Sequence, residues 1–250
     1  MMRMLRETFL YKGLRRLIKG SDLQRRFTDI YKDNAFGGKE SVSGPGSDLT
    51  QTQALREALP AMLKGIGART MLDAPCGDFF WMKEVRVELE QYIGADIVPA
   101  LIAENTRRYG NQKREFRRLD LTRDALPRTD LILCRDCLVH LPLAVIVSAL
   151  KNFKRSGSRY LLTTTFTART ENPDIQAGQW RPLNLQAAPF NFPAPEQLVN
   201  ECCTEGGGQY PDKSMGLWKI DALHKGISSP FIARRVHSLT AGSGLGSERA

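Results

Sequence analysis

The sequence alternates between short apolar segments that are typical of buried strands and longer segments with helical periodicity. Alternation at this pitch predicts a parallel sheet with right-handed crossovers and helices packed on it. A further helix is expected to begin near Phe79, after the first strand. The predicted strands are ARTMLDA, QYIGADI, REFRRLDL, TDLILCRD and SRYLLTTTF, and the predicted helices include TQTQALREALPAMLKGI (50–66), VPALIAENTRRYG and LPLAVIVSALKNF.

Four of these five strands end near an aspartate, at Asp73, Asp96, Asp120 and Asp136. The carboxyl ends of parallel strands lie along one edge of a sheet, and ligands bind there. One acidic strand end would be commonplace. Four of them along a single edge predict a binding site and are hard to explain as solvated loop charges alone.

The spacing of the aspartates favours an adenosine-containing ligand. Asp96 follows Asp73 by 23 residues, close to the spacing of an acid that binds ribose hydroxyls. Asp120, at the third strand end, is suited to accept a hydrogen bond from an adenine amino group. Gly77 lets the backbone approach a ligand, and the next helix N-terminus would offer N–H groups to an anion. The dinucleotide fingerprint G-x-G-x-x-G is absent, which argues against a nicotinamide enzyme.

The ordered motifs LDAPCGD, IGADIVPALI, RRLDLT and DLILCRDCLVHLP resemble those of class I S-adenosylmethionine-dependent methyltransferases, over about residues 50–221. The first motif departs from the family's D-x-G-x-G-x-G, because Pro75 and Phe79 replace two glycines. Gly77 and the backbone of Cys76 remain to contact the cofactor. The resemblance implies a three-layer, Rossmann-like α/β fold, mostly parallel, with a C-terminal antiparallel hairpin formed by EQLVNECCTE and SMGLWKIDAL. It also implies S-adenosyl-L-methionine as the cofactor.

The same resemblance implies the residues that bind the cofactor. Asp73 and Asp78 would lie near its methionine end, and Asp96 at its ribose. Arg135 and Asp136 would border the methionine and the substrate. The full predicted cofactor set is Asp73, Ala74, Pro75, Cys76, Gly77, Asp78, Asp96, Ile97, Asp120, Leu121 and Arg135.

Two irregular segments are candidates for covering the site. FTDIYKDNAFGGKESVSGPGSDLTQT is similar to a segment of related methyltransferases and predicts a lid, although a Gly/Ser-rich connector is the alternative. QWRPLNLQAAPFNFPAPEQL is expected over the acceptor side, because long irregular segments inside compact domains are usually functional. The candidate lid and substrate residues are Tyr31, Phe36, Ser43, Gly44, Gly46, Ser47, Trp81, Trp180 and Arg181.

His140 and Asp136 are the candidate catalytic bases. His140 is the only histidine of the body and follows Asp136 by four residues, where it is placed to deprotonate a hydroxyl. The alternative is a histidine at a helix start that bonds only to backbone. No Asn/Asp-Pro-Pro-aromatic motif follows the fourth strand, which argues against methylation of a nucleobase or amide nitrogen. No metal site is expected, because Cys134 and Cys137 lack a second pair of ligands.

The net charge of +9 is confined to the two ends of the chain. Residues 1–32 carry a net charge of +6 and residues 222–250 a net charge of +3, whereas residues 33–221 are neutral. Residues 1–20 predict a basic amphipathic helix that either contacts an anionic membrane surface or packs on its own domain. The few cysteines and the absence of a long apolar run predict a cytoplasmic protein with at most peripheral membrane contact.

These patterns predict a basic helix (1–20), a lid segment (21–49), a methyltransferase domain (50–223) and a flexible tail (224–250). The leading hypothesis is methyl transfer to a hydroxyl of a small molecule, lipid or glycan. One alternative is an RNA methyltransferase that grips phosphate with its basic ends, although the neutral body argues against a nucleic-acid partner. The other is a binding module for an adenosine ligand without catalysis.

Overall fold

The computed structural model describes residues 20–223 of the chain. The predicted tail (224–250) and, apart from Gly20, the predicted basic helix (1–20) lie outside this part. Within residues 20–223, no helix has the length and apolar character that would let it cross a membrane.

Within the described residues, seven strands form a single sheet. They are β1 (Thr70–Asp73), β2 (Gln91–Asp96), β3 (Arg114–Arg118), β4 (Leu131–Cys134), β5 (Tyr160–Phe166), β6 (Gln197–Asn200) and β7 (Lys213–Lys219). Their order across the sheet is β3-β2-β1-β4-β5-β7-β6. The first five are parallel, and β7 pairs antiparallel with both β5 and β6. This topology confirms the predicted mostly parallel sheet with an antiparallel C-terminal hairpin.

Helices cover both faces of the sheet. The helices of more than one turn are α1 (Gly20–Lys32), α2 (Gln53–Gly65), α3 (Pro99–Tyr109) and α4 (Leu143–Arg155). α2 coincides with the helix predicted over 50–66, and Pro60 lies inside it. α3 has Pro99 in its first turn, where the missing N–H costs no helical hydrogen bond. The chain between β5 and β6 contains no helix or strand, in agreement with the predicted irregular segment.

The helix expected to begin near Phe79 is absent, and that prediction was wrong. Only a 3-10 turn, Met82–Glu84, follows β1. Gly77 and Phe79 have φ values of 51° and 59°, and an α-helix requires negative φ. The Phe79 ring is buried and packs 5.3 Å from the rings of Tyr92 and Phe116, which holds this turn conformation. No α-helical N-terminus therefore offers N–H groups to an anion here.

The core has two layers, one on each face of the sheet. On one face, Leu72 of β1 and Ile132 of β4 pack with Leu150 of α4. On the other face, the neighbouring strand residues Met71 and Leu133 pack with the buried leucines of α2. Successive side chains of a strand point to opposite faces, so these runs are buried on both sides.

Replacing Leu133 by alanine is expected to lower the free energy of unfolding by about 2–5 kcal/mol, because a fully buried leucine leaves a cavity. Leu198→Ala is the matched control, since this side chain on the edge strand β6 is 48% exposed. It should change the free energy by less than about 0.5 kcal/mol. Denaturant unfolding of the full chain measures both values. An equal loss of unfolding free energy in the two variants would contradict the assignment of β4 to the buried centre of the sheet.

Candidate functional site

A cavity lies at the carboxyl ends of the parallel strands, beneath chain segments from residues 23 to 47. It contains the point between β1 and β4 where the strand order reverses, which is the usual ligand site of such sheets. The predicted residues that line it are Tyr31, Phe36, Ser43, Ser47, Pro75, Cys76, Gly77, Asp78, Trp81, Asp96, Ile97, Asp120, Leu121, Arg135, Asp136 and His140. The predicted residues outside its wall are Gly44, Gly46, Asp73, Ala74, Trp180 and Arg181.

Asp73 lies behind the turn that follows β1. Its carboxylate is 2% exposed and accepts a 2.6 Å hydrogen bond from the hydroxyl of Tyr92. Burial raises the pKa of Asp73 to about 7. The backbone N–H of Ala74 donates to the carbonyl of Leu133 on β4. Both residues therefore shape the turn from behind and do not face the cavity.

Trp180 and Arg181 lie in the irregular segment between β5 and β6. The exposed Trp180 ring packs against the rings of Phe166 and Tyr210, 5.8 and 4.9 Å away. The backbone N–H and a side-chain N–H of Arg181 both donate to the carbonyl of Val139. These contacts anchor the segment beside the cavity without bringing either side chain into its wall.

The carboxylate of Asp96 joins two segments at the floor of the cavity. Its Oδ2 accepts a 3.2 Å hydrogen bond from the N–H of Gly77, and its Oδ1 accepts a 2.9 Å bond from the N–H of Val98. The residue is 7% exposed, and this burial raises its pKa to about 6 against the effect of the backbone bonds. Each carboxylate oxygen has two lone pairs, so each retains an acceptor for a ligand hydroxyl.

Asp120 supplies an open acceptor at the neighbouring strand end. Its Oδ1 accepts hydrogen bonds from the N–H and the hydroxyl of Thr122. Its buried Oδ2 lies 3.1 Å from the Nε of Arg123 but has no hydrogen bond within the described residues. A buried acceptor without a donor is costly, which suits this atom to a donor from a ligand.

The predicted lid is tied to the turn after β1. The hydroxyl of Ser41 and the N–H of Val42 donate to the Asp78 carboxylate at 2.9 and 3.0 Å. The Oγ of Ser43 accepts from the N–H of Asp78. A Cβ at Gly77 would lie 2.2 Å from that Oγ, and the positive φ of Gly77 also disfavours any other residue. Gly77 thus serves both the turn and the lid contact.

Helix α1 crosses the mouth of the cavity and was not predicted from the sequence. The side chain of Gln24 accepts from Arg118 at the end of β3, whereas Arg26 donates to the carbonyl of Ala177 on the other side. The helix residues that line the cavity are Leu23, Phe27, Ile30 and Tyr31. Along the chain these four residues are separated by four, three and one positions, which is the spacing of one helix face. This helical pattern in residues 21–49 was not recognised from the sequence.

Five charged side chains form a cluster beside the cavity, namely Arg135, Asp136, Glu201, Glu205 and Lys213. The Nε of Arg135 lies 2.7 Å from Glu201, and its Nη1 lies 3.2 Å from Asp136. The Nζ of Lys213 lies 2.7 Å from Asp136 and 3.4 Å from Glu205. Arg135, Glu201 and Lys213 are all buried. Glu201, Glu205 and Lys213 were not predicted from the sequence, because nothing local in the sequence marks an ion pair between distant segments.

The cluster fixes the lid and the charge of Asp136. The Nη2 of Arg135 donates a 2.8 Å hydrogen bond to the carbonyl of Gly46 in the lid. Burial alone would raise the pKa of Asp136, but Lys213 and Arg135 reverse this effect and hold the pKa well below its usual range. Asp136 is therefore a permanent anion at the cavity wall and a weak base.

His140 lies on the wall next to Phe36, with ring centroids 4.6 Å apart. Its Nδ1 is 3.0 Å from the carbonyl of Gln179. A carbonyl only accepts, so Nδ1 carries the proton and Nε2 keeps its lone pair. Burial lowers the pKa of His140 below its usual value, so the ring is neutral near pH 7. This arrangement makes His140 the stronger of the two candidate bases.

No family model matches the sequence, and no curated protein matches it. Solved structures do resemble the fold. Phosphoethanolamine N-methyltransferase 1 from Haemonchus contortus, in complex with phosphoethanolamine and S-adenosylhomocysteine, aligns with a TM-score of 0.55 and 11% identity. That alignment covers 88% of this chain and 56% of the other.

Two further structures match nearly their whole length. The methyltransferase domain of bacterial CtHen1 has a TM-score of 0.51 and 12% identity, over 68% of this chain and 98% of that domain. The N-methyltransferase NodS from Bradyrhizobium japonicum WM9 has a TM-score of 0.50 and 14% identity, over 68% and 93% of the two chains. Together with the seven-stranded topology, these likenesses show that the chain has the class I methyltransferase fold.

Proposed function

We propose that this chain is an S-adenosylmethionine-dependent methyltransferase that acts on a hydroxyl of a small molecule, lipid or glycan. The observation that carries the proposal is the pair of buried carboxylates, Asp96 and Asp120, which keep acceptor lone pairs without a hydrogen bond at neighbouring strand ends. A structure of the same fold holds S-adenosylhomocysteine, which supports an adenosine ligand.

The cavity fits the cofactor group by group. The free lone pairs of Asp96 suit the two ribose hydroxyls, and the unbonded Oδ2 of Asp120 suits the adenine amino group. The N–H groups of Cys76 and Gly77 already donate to Ala95 and Asp96, so these two donors are taken and the predicted backbone contact would use other atoms. At this turn, side chains and the Cα of Gly77, which carries no Cβ, would therefore face the cofactor.

The residues of the chain would position the reactants and move one proton. When bound, S-adenosylmethionine supplies an activated methyl group, so orientation and exclusion of water account for much of the rate. The lid and α1 cover the cavity and exclude water. The Nε2 of His140 takes the hydroxyl proton, while the carbonyl of Gln179 accepts a hydrogen bond from Nδ1 and orients the ring. The nearby negative charge of Asp136 stabilises the imidazolium that results.

The predicted contact of residues 1–20 with an anionic membrane stays a prediction, because nearly all of this segment lies outside residues 20–223. The same applies to the predicted cytoplasmic location.

The full chain is expected to bind S-adenosylmethionine and S-adenosylhomocysteine, and Asp96→Ala should weaken both by about tenfold or more. Losing a hydrogen bond to a charged acceptor costs roughly 1.5–3 kcal/mol. Titration calorimetry measures the affinities, and Asp221→Ala, an exposed aspartate far from the cavity wall, is the control. Unchanged affinity in Asp96→Ala would remove Asp96 from the ribose site, and binding of NAD alone would contradict the cofactor assignment.

Affinity for S-adenosylhomocysteine should fall as the pH drops through about 6, the value to which burial raises the pKa of Asp96. Only the ionised carboxylate accepts with both oxygens, so affinity is full above this pH. Well below it, affinity falls by as much as tenfold per pH unit. Calorimetry from pH 5 to pH 8 tests this, with Asp96→Asn as the non-titrating control. A flat profile in the wild-type protein would contradict the role of Asp96.

His140→Gln should reduce methyl transfer by about 10²–10⁴-fold, because it removes the base. Cofactor affinity should stay within about twofold, since the hydrogen bond of the His140 ring goes to the carbonyl of Gln179 and not to Asp96 or Asp120. Transfer of a labelled methyl group to cell extract, separated into lipid, glycan, protein and RNA fractions, supplies the rate and the acceptor class. Undiminished transfer in the variant would exclude His140 as the base, and label confined to RNA would overturn the proposed acceptor classes.

A further inference from the structure

We propose that the acceptor is an aromatic molecule without an anionic group that presents a phenolic hydroxyl to His140. The inference rests on the proposed function and deepens it by naming the acceptor class. Three independent features support it: the aromatic wall around His140, the absence of a free cation in the described part of that wall, and the strength of the available base.

The cavity has a cofactor end and an acceptor end, and α1 spans the distance between them. Near its start, Gln24 bonds to Arg118 beside the Asp120 strand end. Near its other end, the side chain of Ile30 packs against Gly178, whose N–H donates to the carbonyl of His140. The last turn of α1 and the residues after it therefore enclose the His140 end.

The wall at this acceptor end is apolar and largely aromatic. Phe27, Tyr31 and Phe36 are half-buried, so their rings keep exposed surface while they line the cavity. Phe36 lies against the His140 ring at 4.6 Å with an interplanar angle of 35°. Leu141 completes the wall beside them. Aromatic rings pack favourably in offset or tilted contacts at such distances, so this wall suits a planar ring.

No free cation faces that end among the described residues that line the cavity. Arg135, the only arginine or lysine among them, is occupied by Glu201, Asp136 and the Gly46 carbonyl. Negative charge is in excess there, because the charged cluster holds three acids and two bases and the Asp78 carboxylate accepts only from neutral donors. A phosphate or carboxylate would find no unpaired cation, so the acceptor that fits carries no anionic group.

The strength of the base separates a phenol from an aliphatic alcohol. Burial keeps the pKa of His140 below its usual value, and Asp136 is held ionised as a still weaker base. A phenolic hydroxyl has a pKa of about 10, whereas the pKa of an aliphatic hydroxyl, like that of water, lies far higher. A neutral imidazole can assist deprotonation of the former far more effectively.

The proposed step is a displacement at the methyl carbon, in which the phenolic oxygen replaces the sulfur. The O–H bond of the phenol breaks, and its proton moves to the Nε2 of His140. The phenolic oxygen forms a bond to the methyl carbon as the carbon–sulfur bond of the methyl donor breaks, and that electron pair stays on sulfur. The products are an aryl methyl ether and a neutral thioether, and the proton on His140 then passes to solvent.

Three probes of similar size test the inference, with transfer of a labelled methyl group as the readout. They are 4-methylphenol, 4-hydroxybenzoate and benzyl alcohol, which vary the negative charge and the acidity of the hydroxyl separately. The full chain should methylate 4-methylphenol at least about tenfold faster than each of the other two. Phe36→Leu should lower that rate at least about fivefold without changing the affinity for S-adenosylhomocysteine. Phe80→Leu, at a phenylalanine outside the cavity wall, should leave the rate unchanged.

The outcomes separate this inference from the proposed function. If S-adenosylhomocysteine binds but none of the three probes is methylated, or 4-hydroxybenzoate or benzyl alcohol is preferred, the phenol assignment is overturned and the proposed function stands. If S-adenosylhomocysteine does not bind, both are overturned. If Phe36→Leu does not fold, the assignment is tested by measuring the binding of 4-methylphenol to the wild-type protein saturated with S-adenosylhomocysteine. Binding would support the phenol assignment, and the absence of binding would overturn it.

Discussion

The buried carboxylate of Asp96 is the interaction on which the site depends. It accepts from the N–H of Gly77 after β1 and from the N–H of Val98 before α3, and so holds two neighbouring strand ends in one arrangement. Gly77 in turn packs on Ser43, and Asp78 binds the backbone of the lid. Burying this carboxylate costs free energy, but its hydrogen bonds fix the turn after β1. That turn holds the lid over the cavity.

The charged cluster anchors the opposite side of the site. Arg135 reaches the lid at Gly46 and pairs with Glu201, which follows β6, whereas Lys213 of β7 pairs with Asp136. Buried ion pairs contribute little net stability, but they fix geometry and protonation when every member is paired. Here they keep Asp136 ionised beside a neutral His140, which assigns different roles to two adjacent polar groups.

The parts of this arrangement that could be predicted from the sequence are those with a local signal. Alternating strands and helices placed Asp96 and Asp120 on one edge of the sheet, and the structure brings both to the cavity. Asp73 was equally well placed by that pattern but faces away, because its partner Tyr92 lies on the next strand. The pairing of Asp136 with Lys213, 77 residues later, has no local signal at all.

The central claim is that Asp96 and Asp120 bind an adenosine cofactor, and a crystal structure of the full chain with S-adenosylhomocysteine tests it most directly. We predict both ribose hydroxyls within hydrogen-bond distance of the Asp96 carboxylate and the adenine amino group within about 3.2 Å of the Asp120 Oδ2. A ligand bound elsewhere, or one whose ribose and adenine leave both carboxylates without contact, would contradict the claim.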